Sequence, residues 1–216
     1  MKTSNRRQDR IWFLETSNRT RLNAKEACSI ESACRHNKNY IIHLLSTGNI
    51  STYECQYIRL LSKLPNFQHS GLNPSAELAE TPLEPLYAEG GALHRSPYFV
   101  AHLSDFLRYV VLWSRGGVYL DTDVIVIRSL EGIKNSLFYQ SRTPGESVAN
   151  GILFFDKHHP VLRALISELL AVSAMLEMAT SPKVTSSHRL CGLPPQFGPL
   201  VSTPRKLATP MTSPAV

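Results

Sequence analysis

The sequence predicts an α/β fold with a mostly parallel central sheet. Three observations carry that expectation. The first half alternates apolar β-rich runs with helically spaced segments, the pattern of strands joined by crossover helices. In the middle, an amphipathic helix ends at Gly116-Gly117 and leads directly into a short apolar strand, Val118-Tyr119-Leu120. Finally, two aspartates, Asp121 and Asp123, interrupt the apolar run immediately after that strand.

In order, Arg10 to Leu14 reads as a strand ending at Glu15-Thr16-Ser17. Asn23 to Arg35 has helical spacing, with Asn23 as its N-cap. Tyr40 to Leu45 reads as a second strand, and Thr52 to Leu64 as a helix stopped by Pro65. Ser96-Pro97 suggests an N-cap followed by proline at the first helical position. Leu103, Phe106, Leu107, Val110 and Val111 then form one apolar stripe. Val124 to Ile127 is expected to continue extended, Ile152 to Phe155 to form a strand, and Pro160 to begin a last amphipathic helix reaching about Met178.

Three segments follow: a basic tail over 1–10, a domain over 11–180, and a Ser/Thr/Pro-rich tail over 181–216 that is not expected to pack. The formal charge of +6 is uneven. Residues 1–10 carry +3 and residues 181–216 carry +4, which leaves about −1 for the body. That distribution argues against a nucleic-acid-binding face. No run of about 18 residues is free of charge, so no transmembrane helix is predicted. The N-terminus lacks the apolar core of a signal peptide. Two acceptor triplets for N-glycosylation, Asn18-Arg19-Thr20 and Asn49-Ile50-Ser51, point instead toward a lumenal protein. Cys28, Cys34, Cys55 and Cys191 permit disulfides or, equally, buried free thiols.

Asp121 and Asp123 carry the chemistry. Carboxylates at the end of a buried strand repel and desolvate badly unless something compensates them. Two positions apart in extended chain, both would face one side and one cation. Oxygen ligands suit Mn²⁺ or Mg²⁺, with water and diphosphate oxygens completing the shell. A polar turn between strands is the plain alternative, made less apt by the preceding apolar strand and Gly-Gly. Asp105 and Arg108 lie three apart on one helix face, where they form either a surface ion pair or a grip on a sugar.

Ser104-Asp105-x-x-Arg108-Tyr109 followed by Gly116-Gly117-x-Tyr119-Leu120-Asp121-Thr122-Asp123 resembles the glycosyltransferase sugar-binding region with a DxD motif. More narrowly, the chain is similar to the lactosylceramide alpha-1,4-galactosyltransferase and alpha-1,4-N-acetylglucosaminyltransferase family. Phe13-Leu14-Glu15-Thr16-Ser17, Cys28 to Ala33, Thr81-Pro82-Leu83 and Asn150 to Phe155 fall in the family's order, over about residues 11–172. The resemblance implies a GT-A fold, a UDP-sugar donor, Mn²⁺, retention of anomeric configuration, a galactose-terminated glycolipid or glycan acceptor, and a Golgi membrane protein of glycosphingolipid biosynthesis. It implies metal ligation by Asp123 directly and by Asp121 through water, or a ribose contact from Asp121. It places Asp105 and Arg108 on the donor sugar with Tyr119 supporting Arg108, Asn150 near the transferred sugar, and Glu15 and Thr16 at the nucleotide, beyond the carboxyl end of the first strand.

The family's cytoplasmic tail, anchor and stem, its segment after the last helix and its late Trp-Asn element have no counterpart in these residues. The expectation is a domain incomplete at its C-terminus that binds donor and transfers slowly. A related reading is an inactive glycosyltransferase-like protein that binds only metal or nucleotide. A phosphatase with Asp121 as nucleophile fits the motif superficially, but no aspartate follows Asp156 to complete its acidic set.

Overall fold

The computed structural model describes residues 9–139 and 148–178. Its centre is a six-stranded sheet: β1 (Arg10–Glu15), β2 (Ile41–Ser46), β3 (Phe67–Gly71), β4 (Gly117–Leu120), β5 (Ser136–Tyr139) and β6 (Val148–Phe155). The strand order is β3-β2-β1-β4-β6-β5. The pairs β1–β2, β2–β3 and β1–β4 are parallel, whereas β4–β6 and β5–β6 are antiparallel. The order turns back at β1, between β2 and β4. Ligands of open α/β sheets bind beyond the strand ends at such a switch point.

Helices cover both faces. Successive residues of β1 alternate sides: Ile11 and Phe13 join a core with α1 (Ala24–His36) and α2 (Gln56–Leu61), while Trp12 and Leu14 join the opposite core. That second core holds α3 (Pro74–Leu78), α4 (Glu84–Tyr87), a 3₁₀ turn (Ala92–Arg95), α5 (Phe99–Arg115) and α6 (Pro160–Met178). Asn23 caps α1 through a reciprocal box. Its side chain accepts from the Glu26 N–H at 3.0 Å, and the Glu26 carboxylate accepts from the Asn23 N–H at 2.8 Å.

Gly116 closes α5 at φ +68, and Gly117 follows at φ +110. A Cβ on Gly117 would stand 2.5 Å from the Arg10 carbonyl oxygen. Glycine at 117 therefore lets β4 approach β1 and aims the strand at the switch point.

Several expectations need correction. The helix expected over Thr52 to Leu64 is confined to Gln56–Leu61, because residues 52–54 are turns held by Ser51, and after the cap at Ser62 the Lys63 and Leu64 N–H groups close with shorter-range bonds. Ser96 does not cap α5: its hydroxyl accepts from the Tyr98 N–H at 3.0 Å, and the helix starts at Phe99. Val124 to Ile127 is not a strand. The Val124 carbonyl accepts from Ser29 Oγ at 2.6 Å, and the Val126 N–H donates to Ser32 Oγ at 2.9 Å, so this segment hangs on α1 instead of the sheet. Of the two readings of the cysteines, the free thiol holds for Cys28, which is exposed, and for buried Cys34 and Cys55, and burial raises the Cys34 thiol to about 12. Cys191 and the segment 181–216 lie outside the described residues, as do residues 1–8 of the basic tail.

Candidate functional site

A cleft of about 930 Å³ opens beyond the carboxyl ends of β1 and β4, lined by residues from β1, the start of α5, the turn after β4 and the first half of β6. It contains Glu15, Thr16, Asp105, Arg108, Asp121, Asp123 and Asn150. Tyr119 lies directly behind, fully buried beneath Arg108.

Arg108 is the centre of the cluster and is itself 6% exposed. Its Nη2 stands 3.1 Å from Asp105 Oδ1 and donates to Ser104 Oγ at 3.2 Å. Its Nη1 donates to the Asn150 carbonyl at 2.8 Å and lies 3.4 Å from Asp121 Oδ1. The guanidinium carbon sits 4.9 Å from the centre of the Tyr119 ring. Burial alone would lower the Arg108 pKa, but Tyr119, Asp121 and Asp105 outweigh it and hold the group firmly protonated. The helix repeat explains the arrangement: Ser104, Asp105 and Arg108 share one face of α5, and the Tyr119 hydroxyl rises from β4 to meet them.

Asn150 completes the frame from β6. Its Nδ2 donates to Asp105 Oδ1 at 2.9 Å, and its Oδ1 accepts from the Tyr109 hydroxyl at 2.7 Å. Asp105 is thus held on the same oxygen by Arg108 and Asn150.

The two aspartates do not lie in one extended strand, contrary to the spacing expectation. The chain turns at Thr122 and Asp123, closed by the Val124 N–H bonding the Asp121 carbonyl at 3.1 Å. Asp121 faces inward and Asp123 is exposed, yet both line the cleft. Asp121 Oδ1 accepts the Tyr119 hydroxyl at 2.5 Å. Its Oδ2 stands where a Cβ at Gly151 would come within 2.5 Å, so glycine there leaves this oxygen room. Burial raises the Asp121 pKa. Arg108 and the Tyr119 hydrogen bond pull it down, and Asp123 and Asp105 push it up again. Ionised Asp121 beside Asp123 therefore calls for more positive charge than Arg108 supplies.

The donor set fits a hard divalent cation. Asp121 keeps one oxygen free of protein hydrogen bonds, and Asp123 has no ion pair among the described residues. No cluster of three His, Cys, Asp or Glu side chains exists among the described residues. An ion here would take two carboxylates at most from the chain, and its other positions from water and a ligand's oxygens, the habit of Mg²⁺ and Mn²⁺.

At the other end of the cleft, Glu15 Oε1 accepts from the Ser17 N–H at 3.1 Å, from the Ser17 hydroxyl and from Arg19 at 3.1 Å. Arg19 also donates to Glu26 Oε1 at 2.6 Å. Glu15 Oε2 is buried without any partner among the described residues. Thr16 Oγ1 donates to the Val100 carbonyl at 3.2 Å, tying the end of β1 to the first turn of α5.

The sequence assigned no site role to Ser104, Tyr109, Arg19, Glu26 or Gly151, although Ser104 and Tyr109 stand in the motif that carries the resemblance. Ser104 could have been found as the residue four before Arg108 on a helix. Arg19 and Glu26 meet Glu15 across a loop, which no periodic pattern reveals.

The family model described as the glycosyltransferase sugar-binding region containing DXD motif matches residues 23–143. Lactosylceramide 4-alpha-galactosyltransferase of Rattus norvegicus is 39% identical over 167 residues, covering 74% of this chain and 45% of that protein. The Homo sapiens alpha-1,4-N-acetylglucosaminyltransferase is 33% identical over 166 residues, 70% of this chain and 45% of the relative. The chain thus spans less than half the length of these relatives. Among solved structures, PaToxG glycosyltransferase matches with a TM-score of 0.55 at 21% identity, covering 79% of this chain and 62% of that one. A mutant transferase matches at 0.51 and 15% identity, covering 83% and 88%. At such identities the likeness speaks for the fold, a GT-A α/β architecture. With the matched region enclosing Asp105, Arg108 and the Asp121-Thr122-Asp123 triplet, the chain belongs to the glycosyltransferase family defined by the DXD sugar-binding region.

Proposed function

We propose that this chain carries the donor half of a hexosyltransferase that takes galactose or an N-acetylhexosamine from a UDP-sugar and delivers it in alpha-1,4 linkage to a galactose-terminated glycolipid or glycan. The observation that carries this reading is the buried Arg108 cluster set against the aspartate turn in one cleft. The relatives' names support the sugar and linkage class, and the retaining course and the Golgi setting follow the family resemblance.

Each group has a task in this reading. The unpartnered Glu15 Oε2 supplies an acceptor for an N–H of the base, at the end of β1. Asp105, fixed on one oxygen by Arg108 and Asn150, presents its other oxygen to donor-sugar hydroxyls. Arg108 sets Asp105 and Asp121 in place and keeps two negative charges bearable in a buried site. Asp123 directly, and Asp121 through water, would hold Mn²⁺ or Mg²⁺, whose charge would offset that of the donor's diphosphate. Tyr119 fixes Asp121 by its hydroxyl and Arg108 by its ring.

The test is donor selectivity in Mn²⁺ buffer, followed by transfer to methyl β-lactoside. UDP-galactose, UDP-N-acetylgalactosamine or UDP-N-acetylglucosamine should bind at least about tenfold more tightly than GDP-mannose. Equal affinity for uridine and guanosine donors overturns the assignment.

A further inference from the structure

The cleft mouth carries a side chain for which the donor reading has no use. Tyr98 is the residue before the first turn of α5, makes no capping hydrogen bond to that helix, leans its ring at 6.1 Å from the His102 ring, and is 54% exposed. Ser, Asp or Asn at this position would stabilise the helix by capping it, and an aromatic ring does not. The turn is held without the ring, since Ser96 Oγ accepts the Tyr98 N–H at 3.0 Å and bonds His102 Nδ1 at 2.9 Å.

One exposed tyrosine is ordinary on a protein surface. Placement sets this one apart. Among the described residues the exposed large apolar side chains are Tyr53, Leu60, Tyr98, Val100, Ile125 and Ile127, and of these only Tyr98 and Val100 line the cleft. The helix start that carries them is tied to the donor end, because the Val100 carbonyl accepts the Thr16 hydroxyl. Tyr98, Ala101, Asp105 and Arg108 recur three and four apart, so they follow one face of α5 down into the cleft. Seven residues separate Tyr98 from Asp105, about 10 Å along the helix axis. That distance is the reach of a disaccharide whose terminal ring lies beside the donor sugar.

We propose that Tyr98 is the platform on which the acceptor's sugar stacks, so that Tyr98 is a specificity-determining residue for the acceptor. The ring offers an apolar face to the C–H face of a pyranose and a hydroxyl to its rim. This inference rests on reading the cleft as the donor site, but acceptor contact can be measured apart from donor binding.

Methyl β-lactoside is titrated into the full chain, with and without UDP and Mn²⁺, and followed by saturation-transfer NMR, with UDP isotherms recorded alongside. Lactoside should contact the wild-type chain. Tyr98→Ala should weaken that contact about tenfold or more, whereas Tyr98→Phe and Tyr98→Trp, which keep a ring, should stay within about threefold. All three variants should keep the wild-type UDP affinity and melting profile, since Tyr98 is exposed. No lactoside contact in the wild type, an unaffected Tyr98→Ala, or a Tyr98→Phe as weak as Tyr98→Ala overturns the platform. Loss of UDP binding by the wild type would instead count against the donor reading.

Discussion

Replacing Arg108 by Ala should be among the most damaging single changes in the cleft. The side chain is buried and is the cation shared by Asp105, at 3.1 Å, and Asp121, at 3.4 Å. Its removal leaves two carboxylates in a site where burial already raises one of them. Breaking a buried pair in this way costs about 3–5 kcal/mol. It also orphans the Asn150 carbonyl, which accepts Arg108 Nη1 at 2.8 Å. Arg108→Lys keeps the charge but cannot serve two acceptors in a fork, so its loss should be smaller, about 1–3 kcal/mol. Urea denaturation reads both from the midpoint at constant slope. Two further results follow from the mechanism. The deficit of Arg108→Ala relative to wild type should shrink in acid, because the abandoned carboxylates can take up protons. Combining Arg108→Met with Asp105→Asn and Asp121→Asn should recover about half the loss or more. A deficit under about 1 kcal/mol, or a triple variant no more stable than Arg108→Ala, would refute the claim that Arg108 compensates buried charge.

Other perturbations test other parts of the frame. Asn23→Ala removes the capping box of α1 and should cost about 1 kcal/mol in the same denaturation assay. Gly117→Ala forces a side chain at φ +110 into contact with the Arg10 carbonyl, and should cost about 3 kcal/mol or more or prevent folding. Stability should also fall as pH drops from about 6.5 toward 4. His43 is lowered to about 4 by burial, then by Arg10, Arg115 and His69, and its Nδ1 already accepts from Arg10 at 3.0 Å. The unfolded chain takes up that proton first. The ring is half-buried and screened, so its share is about 1–2 kcal/mol, and His43→Gln should remove that slope from the pH profile.

What was legible in the sequence was local or periodic. The Asn23 cap meets Glu26 three residues away, and the α5 stripe and its Gly-Gly stop fall within one stretch. β3 was not legible, because Phe67–Gly71 has no apolar alternation; it is an edge strand formed by pairing with β2. The apolar Val124 to Ile127 looked like a strand because sequence does not show that its backbone partners are Ser29 and Ser32 of α1. In the cleft, Asp121 and Asp123 stood out as polar interruptions of an apolar run and Asp105 and Arg108 as a pair three apart on one helix face, whereas Tyr119 read as part of the apolar strand and entered only through the family resemblance. Their geometry did not: the turn at Thr122 that separates inward Asp121 from exposed Asp123 depends on the antiparallel partner β6, whose Gly151 carbonyl accepts the Asp121 N–H at 2.8 Å. The link from Glu15 through Arg19 to Glu26 crosses a loop and has no sequence period.

On the proposed reading, the aspartate turn and the Arg108 cluster form a divalent-cation-dependent nucleotide site. Calorimetric titration of UDP into the chain, with Mn²⁺ and then with chelator, tests it most directly. Wild-type binding should weaken about tenfold or more without the ion, and Asp123→Ala should bind weakly in both conditions. Equal UDP affinity with and without Mn²⁺, or an Asp123→Ala variant that keeps the full Mn²⁺ effect, would contradict the assignment of this cleft.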